Sequence, residues 1–186
     1  MYRLIFLSLL LASCASPSPV NLYSLDVPVG SGHAGHRLPV TIAVAKPAVQ
    51  PGYDTAMMAY STRTHEIGYF SKNQWVASPD RMLFPILAET LSRRFETVLK
   101  APAAADMRLD TDIVMLRQEF SGNSSRIHLV LRAQIRRDGK TVSRAFEIFE
   151  PCKENDPYGG VVAANRAVSR LVREIADFCV AEAKPH

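Results

Sequence analysis

The sequence contains only three cysteines among 186 residues, too few for a fold built on disulfides. Nine glycines and twelve prolines exclude a collagen-like or low-complexity chain. The 22 basic and 18 acidic residues leave a formal net charge of +4, a small excess that argues against a dedicated nucleic-acid-binding protein. Hydrophobic residues make up 47% of the chain. A packed core must therefore carry the fold, and the length suits one domain.

The sequence also lacks any run of about 20 apolar residues, the length that a transmembrane helix needs. A short apolar run at 4–11 follows Arg3 and ends in the small residues Ala12 and Ser13. A basic start, a short apolar stretch and a small-residue exit are typical of a secretion signal. We therefore predict that residues 1–13 are a signal peptide. The alternative for this run is a buried N-terminal strand.

The four residues Leu11-Ala12-Ser13-Cys14 resemble a bacterial lipobox, in which a peptidase cuts before a cysteine that carries diacylglycerol. The resemblance implies that Cys14 is the lipid attachment site, and several acyl chains hold a protein far more firmly than one. It also implies that Ala15 is compatible with sorting to the outer membrane. Residues 14–21 are predicted to be the acylated cysteine and a tether that reaches at most about 23 Å.

Short alternating segments predict four strands in the first part of the mature chain, at 22–25, 40–44, 57–62 and 66–70. Ser78, Pro79 and Asp80 are typical of the N-cap and first turn of a helix. One apolar stripe continues this helix through Leu91, and Pro85 inside it should bend it. The chain is predicted to return to the sheet at 95–99.

The clearest pattern is an alternation with a period of two. It predicts a strand from Met107 to Met115, with both of these residues facing inward, and a second strand whose inward residues run from Ile127 to Ile135. Asp138-Gly139 predicts a two-residue hairpin turn before a returning strand at 142–149. One face of this antiparallel sheet is predicted to be apolar and the other to be exposed to solvent.

The last predicted element is an amphipathic helix that can cover the apolar face of the sheet. Its apolar stripe consists of Ala164, Val168, Leu171, Val172, Ile175, Phe178 and Cys179. We therefore predict an α+β fold over residues 22–186, with two layers: a mainly antiparallel sheet covered on one face by two helices.

Catalytic and cofactor motifs are not convincing in this sequence. The segment Gly30–Gly35 matches the G-x-G-x-x-G pattern, but a strand follows it where a nucleotide site needs a helix. His33 and His36 have metal-like spacing without the further ligands that zinc requires. No G-x-S-x-G motif is present. We therefore predict a protein that is not an enzyme and binds no cofactor or metal.

Two groups of residues leave alternatives open. Cys152 and Cys179 either form a disulfide or stay as two buried thiols. A bridge needs Cα atoms within about 7 Å, whereas the predicted helix between them is roughly 30 Å long. The outward arginines Arg126, Arg132 and Arg136 either belong to a solvated sheet face, paired with aspartates of the neighbouring strand, or contact lipid headgroups or an acidic partner.

Several stretches together resemble a known family, and they cover nearly all of the predicted mature chain. They are Leu22-Tyr23-Ser24-Leu25, Ile42 to Val44, Met58-Ala59-Tyr60, Tyr69-Phe70, Trp75-Val76-Ala77-Ser78-Pro79 and Ala163-Ala164-Asn165-Arg166-Ala167. This set is similar to the ABC-type transport auxiliary lipoproteins, the PqiC-like family found beside MCE-domain lipid transport systems. The most specific part is the series Tyr60, Tyr69, Trp75 and Pro79.

The resemblance implies a lipid-anchored subunit on the outer membrane that faces the periplasm and docks an MCE-domain protein of an ABC transporter complex. The chain has no P-loop, so the energy would come from another subunit. Tyr60, Tyr69 and Trp75 then either pack in the core or form a docking or lipid-lining surface. Whether the protein forms a homo-oligomer is left open by the sequence. The rival function is an outer-membrane or cell-wall assembly lipoprotein with a protein or glycan client.

Overall fold

The computed structural model describes residues 19–27 and 37–184. The predicted signal peptide, Cys14, most of the tether and the glycine-rich segment 30–35 lie outside the described residues.

The described residues form nine strands and two helices. In chain order these are β1 (Asn21–Tyr23), β2 (Leu38–Val44), β3 (Ala48–Val49), β4 (Met57–Ser61), β5 (Gly68–Trp75), α1 (Pro79–Ser92), β6 (Phe95–Lys100), β7 (Met107–Ser121), β8 (Ser124–Arg137), β9 (Lys140–Pro151) and α2 (Pro157–Ala183). The strands and helices predicted from the sequence are all present, most of them with shifted ends.

Strand β7 organises a single mixed sheet. Along one side it pairs with β8 in antiparallel fashion, and β8 pairs in the same way with β9. Along its other side, β7 pairs in parallel with β2, β3 and β4 in turn. Strand β6 extends the sheet beyond β2, and β5 and β1 extend it beyond β4. The predicted α+β fold is confirmed, with its longest ladders in the antiparallel β7–β8–β9 meander.

Both helices lie on the same face of this sheet and pack against each other. Helix α1 begins at Pro79, with Ser78 as the N-cap residue, as predicted. Every residue of the predicted apolar stripe of α2 is buried. Leu87, Leu171 and Ile175 have 0% exposure, so the centre of the core lies where the helices meet the sheet. Burial of such side chains stabilises the fold by about 1.5–3 kcal/mol each.

The predicted inward residues of β8, from Ile127 to Ile135, are all buried, which confirms the alternation there. The turn that follows is also confirmed. Asp138 and Gly139 have positive φ angles of 50° and 75°, which is the backbone of a type I′ turn. This turn has the same right-handed twist as the two strands that it joins, so it sets the register of β8 against β9.

The predicted alternation of β7 holds as far as Ile113 and is wrong at Met115. The register against β8 shifts between these two residues, because one extra residue is inserted into β7 as a β-bulge. Leu116 therefore enters the core in place of Met115. Beyond the bulge Gln118 also points inward, whereas Arg117 and Glu119 point to the opposite face.

Candidate functional site

The candidate site is the face of the β7–β8–β9 meander that the helices leave uncovered, which we call the open face. It carries charged and polar side chains from all three strands, and their positions follow from the period of two along each strand. These residues are Arg108, Asp110, Asp112, Arg117 and Glu119 on β7, Arg126, His128, Arg132, Gln134 and Arg136 on β8, and Glu147 on β9, with the aromatic Phe149 on the same face of β9.

Glu119 is the centre of the densest group on the open face. Its carboxylate accepts hydrogen bonds from Arg117 at 2.7 Å, from His128 at 2.9 Å and from Arg126 at 3.0 Å. Burial by itself disfavours the ionised carboxylate, but the hydrogen bonds from these three partners outweigh it and lower the pKa of Glu119 to about 2. The group is therefore an ion pair network at neutral pH.

His128 links Glu119 to the edge strand β9. Its second ring nitrogen lies 2.8 Å from Glu147 Oε1. The ring stacks on Phe149 with 4.3 Å between ring centroids, and the guanidinium of Arg126 lies 4.2 Å from the centroid of the same phenylalanine. Phe149 is 42% exposed, so it offers an apolar contact within a charged surface.

A second ion pair group lies nearer the β8–β9 turn. Asp110 accepts hydrogen bonds from Arg108 at 2.8 Å and from Arg136 at 2.7 Å. Burial opposes ionisation here too, but the two arginines prevail and lower the pKa of Asp110. Arg132 lies opposite Asp112 in the ladder, and both line a shallow depression of about 470 Å³.

The three arginines predicted from the sequence thus lie on one surface. Arg136 forms an ion pair with Asp110, in agreement with the cross-strand pairing considered for this face, whereas Arg126 pairs with Glu119, which was not considered. The open face therefore carries alternating positive and negative charges rather than a uniformly basic patch. Such a surface can recognise a partner with complementary alternating charges, because like charges placed opposite each other are costly.

The structure does not bring the predicted aromatic series together. Tyr60 packs on Phe70, with 4.7 Å between ring centroids, on the same side of the sheet as the helices. Tyr69 is on the opposite side, since its register partner is Ala59, the neighbour of Tyr60. Its hydroxyl donates a hydrogen bond to the carbonyl oxygen of Gly52 over 2.9 Å. Trp75 is only 4% exposed and belongs to the core.

Cys152 and Cys179 are both free thiols, so the disulfide left open from the sequence is not formed in this structure. Cys152 lies just before the start of α2, beside Gln118, whereas Cys179 is buried near the other end of this helix. Burial raises the pKa of the Cys152 thiol and raises that of Cys179 to about 12. Both side chains are therefore protonated thiols at neutral pH.

Sequence reasoning placed His128 on the same face as Arg126, because both follow the alternation along β8, but it missed Glu119 and Gln118. Glu119 shares this face only because of the bulge in β7, which shifts the alternation of the residues that follow it. Gln118 lies in the core, where its Nε2 donates hydrogen bonds to Ser125 at 2.9 Å and to the backbone of Asp156 at 3.0 Å. No local signal marks a buried glutamine.

Within residues 19–27 and 37–184, no group of three or more histidine, cysteine, aspartate or glutamate side chains could hold a metal ion. In the same part of the chain, no helix is both long enough and apolar enough to cross a membrane.

Two solved structures share this fold at low sequence identity. Protein XCC0632 from Xanthomonas campestris, a DUF330 protein, is similar with a TM-score of 0.79 and 18% identity, over 87% of this chain and 95% of that one. Hypothetical protein CT253 from Chlamydia trachomatis is similar with a TM-score of 0.51 and 8% identity, over 75% and 96% of the two chains. No curated protein matches the sequence.

The resemblance of the sequence to the ABC-type transport auxiliary lipoproteins is supported by a family model. The model of the family described as the ABC-type transport auxiliary lipoprotein component matches residues 23–176, nearly the whole described domain, which confirms the resemblance. The chain therefore belongs to the ABC-type transport auxiliary lipoprotein family.

Proposed function

We propose that this protein is a non-catalytic subunit of an ABC/MCE-type lipid transport system. Cys14 anchors it to the outer membrane, and its domain faces the periplasm and docks the MCE-domain component. The observation that carries the proposal is the family match over residues 23–176 in a chain whose residues 11–14 have the form of a lipobox. Residues 1–13 are then the signal peptide, and 14–21 the tether.

The start of the described domain supports a short tether. Strand β1 begins seven residues after Cys14 and pairs with β5, where the backbone N–H of Val76 donates to the carbonyl of Tyr23 over 2.8 Å. The domain therefore has its first rigid point at most about 23 Å of extended chain from the anchor. A domain held so close to a membrane can mark one end of a lipid conduit.

The chemistry of the open face supports binding rather than catalysis. The charged side chains of Glu119, Asp110 and their arginine partners are engaged in mutual ion pairs. Family membership also indicates an auxiliary role, because it describes a component of a transport system. The open face is the docking surface that we propose for the MCE-domain protein, with Arg132 at its centre. Association with further copies of this chain stays a prediction.

The anchor is tested with Cys14→Ala in the full-length chain, expressed in its own cells and followed by membrane fractionation. We expect the variant to leave the outer membrane and to lose transport activity while its domain stays folded. Cys152→Ala is the matched control, because it removes a cysteine outside the lipobox. Full activity of a released Cys14→Ala protein, or its retention in the outer membrane, would contradict the proposed anchoring.

The docking surface is tested by co-purification of the MCE-domain protein with charge-reversed variants. Arg132→Glu should weaken co-purification, because it reverses a charge on the open face. Lys140→Glu makes the same change of charge at the exposed first residue of β9, next to the β8–β9 turn, and should have no effect. Equal losses of co-purification with both variants would show that binding of the MCE-domain protein depends on the overall charge and not on the open face. Recovery of an assembly protein or a glycan in place of the MCE protein would favour the rival function.

A further inference from the structure

A groove of about 590 Å³ runs along the solvent-exposed side of α2, away from the open face. Two features of its lining stand out. Tyr158 and Val162 are apolar contacts that are 57% and 38% exposed. Three arginines follow them on the same helix, Arg166, Arg170 and Arg173, against one lining glutamate, Glu150. An exposed aromatic beside several arginines is the combination that suits the interfacial region of a bilayer.

The charges of α2 are strongly segregated along the helix. Its three arginines lie between residues 166 and 173, whereas its three acidic residues all follow, as Glu174, Asp177 and Glu182. This order opposes the helix dipole, which favours acidic residues near the N-terminus and basic residues near the C-terminus. The helix dipole therefore does not explain the arrangement, although Arg166 and Asp177 have ion pair partners outside the helix in Glu150 and Arg94.

The arginines of the groove differ in how far they are engaged. Arg166 is bound to the end of β9, with bonds of 2.7 Å to Glu150 and to the carbonyl of Pro151. Arg170 uses its Nε for Glu174 at 2.8 Å, and Arg173 donates to the Ser169 hydroxyl at 3.3 Å. The guanidinium ends of Arg170 and Arg173 lie on exposed positions, where a phosphate can reach them.

The segment that leads from the tether is fixed to this same stretch of α2. Asn165 accepts a hydrogen bond from the backbone N–H of Asp26 at 2.6 Å and donates one to the carbonyl of Ser24 at 3.3 Å. One step earlier in the chain, Tyr23 contacts the ring of Tyr158 at 6.0 Å. Strand β1, which follows the tether, therefore ends beside Tyr158, at the N-terminal end of the groove.

We propose that this groove is a lipid-headgroup site, in which Arg170 and Arg173 bind phosphates of the bilayer while Tyr158 and Val162 lie in its interfacial zone. The inference rests on the proposed function in one respect, because the bilayer is the one that holds the acylated Cys14. Residues 158 to 173 span about 22 Å of helix. This length is close to the reach of the tether, about 23 Å, so the anchor and the arginines can contact the same bilayer. Bound in this way, the domain has a defined orientation on the membrane instead of swinging on its tether.

The test uses the acylated protein purified in detergent and reconstituted into vesicles of phosphatidylethanolamine with or without phosphatidylglycerol. An environment-sensitive fluorophore is placed at Val162→Cys or at Val142→Cys, each in a Cys152→Ser background. Both valines are 38% exposed. Val142 follows the β8–β9 turn, which lies at the far end of α2 because Arg137 donates to the carbonyl of Glu182. The readout is quenching by headgroup-labelled lipid.

We expect strong quenching at position 162 in vesicles with phosphatidylglycerol, weaker quenching without it, and little at position 142. The double variant Arg170→Gln/Arg173→Gln neutralises both arginines. It should lower the ratio of domains that lie on the bilayer to domains that do not, followed by quenching at position 162, by about fivefold for each arginine. Arg132→Gln/Arg136→Gln removes the same charge from the open face and should leave quenching at position 162 unchanged. Equal quenching at positions 162 and 142, or no effect of the α2 variant, would overturn the inference while leaving the anchor proposal intact.

Mass spectrometry of the N-terminus separates this inference from the proposed function. An unmodified Cys14 would refute the anchor, and the groove would then be tested by sedimentation of the unanchored protein with phosphatidylglycerol vesicles. Binding that Arg170→Gln/Arg173→Gln weakens would support the headgroup site. Failure to bind, or equal binding of the variant, would refute it.

Discussion

The side chain of Gln118 donates a hydrogen bond to the backbone carbonyl of Asp156 over 3.0 Å, which joins the sheet directly to the start of α2. Asp156 is the N-cap of this helix, and its carboxylate accepts a hydrogen bond from the N–H of Gly159 at 2.7 Å. Gly160 makes room for the glutamine, because a Cβ on it would overlap Gln118 Oε1. Strand β7 and helix α2 therefore meet at a glycine where an added side chain would force Gln118 out of its position.

We predict that Gly160→Ala destabilises the protein by about 1–3 kcal/mol, because the added methyl group overpacks a closed site. The effect overcomes the gain of about 1 kcal/mol that alanine brings to a helix interior. Gln118→Ala should partly rescue this variant in a double-mutant cycle, measured by urea unfolding.

The matched control for this cycle is Gly159→Ala. Its Cβ would overlap the backbone carbonyl of Glu154, which shortening Gln118 cannot relieve. Strictly additive effects of Gly160→Ala and Gln118→Ala would contradict the proposed contact.

The Glu119 network predicts a specific dependence of stability on pH. The pKa of Glu119 is about 2 in the folded protein, against an ordinary value of 4.5. The ionised carboxylate therefore stabilises the fold fully above pH 4.5, by roughly 3 kcal/mol, and this contribution disappears as the pH falls from 4.5 to 2. Glu119→Gln should be less stable than the wild type at pH 7 and nearly equal to it at pH 2, as measured by urea unfolding across this range.

Glu147→Gln is the control for that experiment, because Glu147 also contacts His128 but its side chain is 56% exposed. We expect a change of less than about 1 kcal/mol for it. If the difference in the free energy of unfolding between wild type and Glu119→Gln stays constant from pH 7 to pH 2, Glu119 stabilises the fold through its shape and not through its charge.

Trp75 is predicted to act in stability rather than in docking. Replacing this buried side chain by alanine should lower the free energy of unfolding by about 3–5 kcal/mol, because a large cavity remains. Val76→Ala, at the next residue, which is 55% exposed, should change it by less than about 0.5 kcal/mol. Thermal melts and pull-downs with equal amounts of folded protein separate the two roles. A stable Trp75→Ala protein that no longer binds its partner would refute this assignment.

Thr111 offers a stabilising substitution. It is 5% exposed, and its hydroxyl oxygen has no hydrogen-bond partner among the described residues. Thr111→Val keeps the shape of the side chain and removes this unsatisfied group, so we expect a gain of about 1 kcal/mol in the free energy of unfolding. Thr141→Val, on an exposed position of β9, should change stability little. Destabilisation by Thr111→Val would mean that the hydroxyl is satisfied in solution.

Parts of the candidate site were predictable and parts were not. Arg126, Arg132 and Arg136 could be assigned to one face, because alternation along β8 is a local pattern of sequence. Glu119 could not, because the bulge near Ile113 depends on how β7 pairs with β8, and an inserted residue leaves no mark in composition. The parallel contacts of β2, β3 and β4 with β7 join segments far apart in the chain, which no local period encodes.

The sequence by itself determined the elements whose cause is local: the alternating strand β8, the Asp138-Gly139 turn and the amphipathic helix α2. Steric preferences and the periods of burial act over a few residues, and they are visible in the order of the amino acids. Only the tertiary structure decided that Tyr60 and Tyr69 lie on opposite faces, and that Arg126 meets Glu119. These relations depend on strand register between distant segments, where a shift of one residue moves every side chain to the other face.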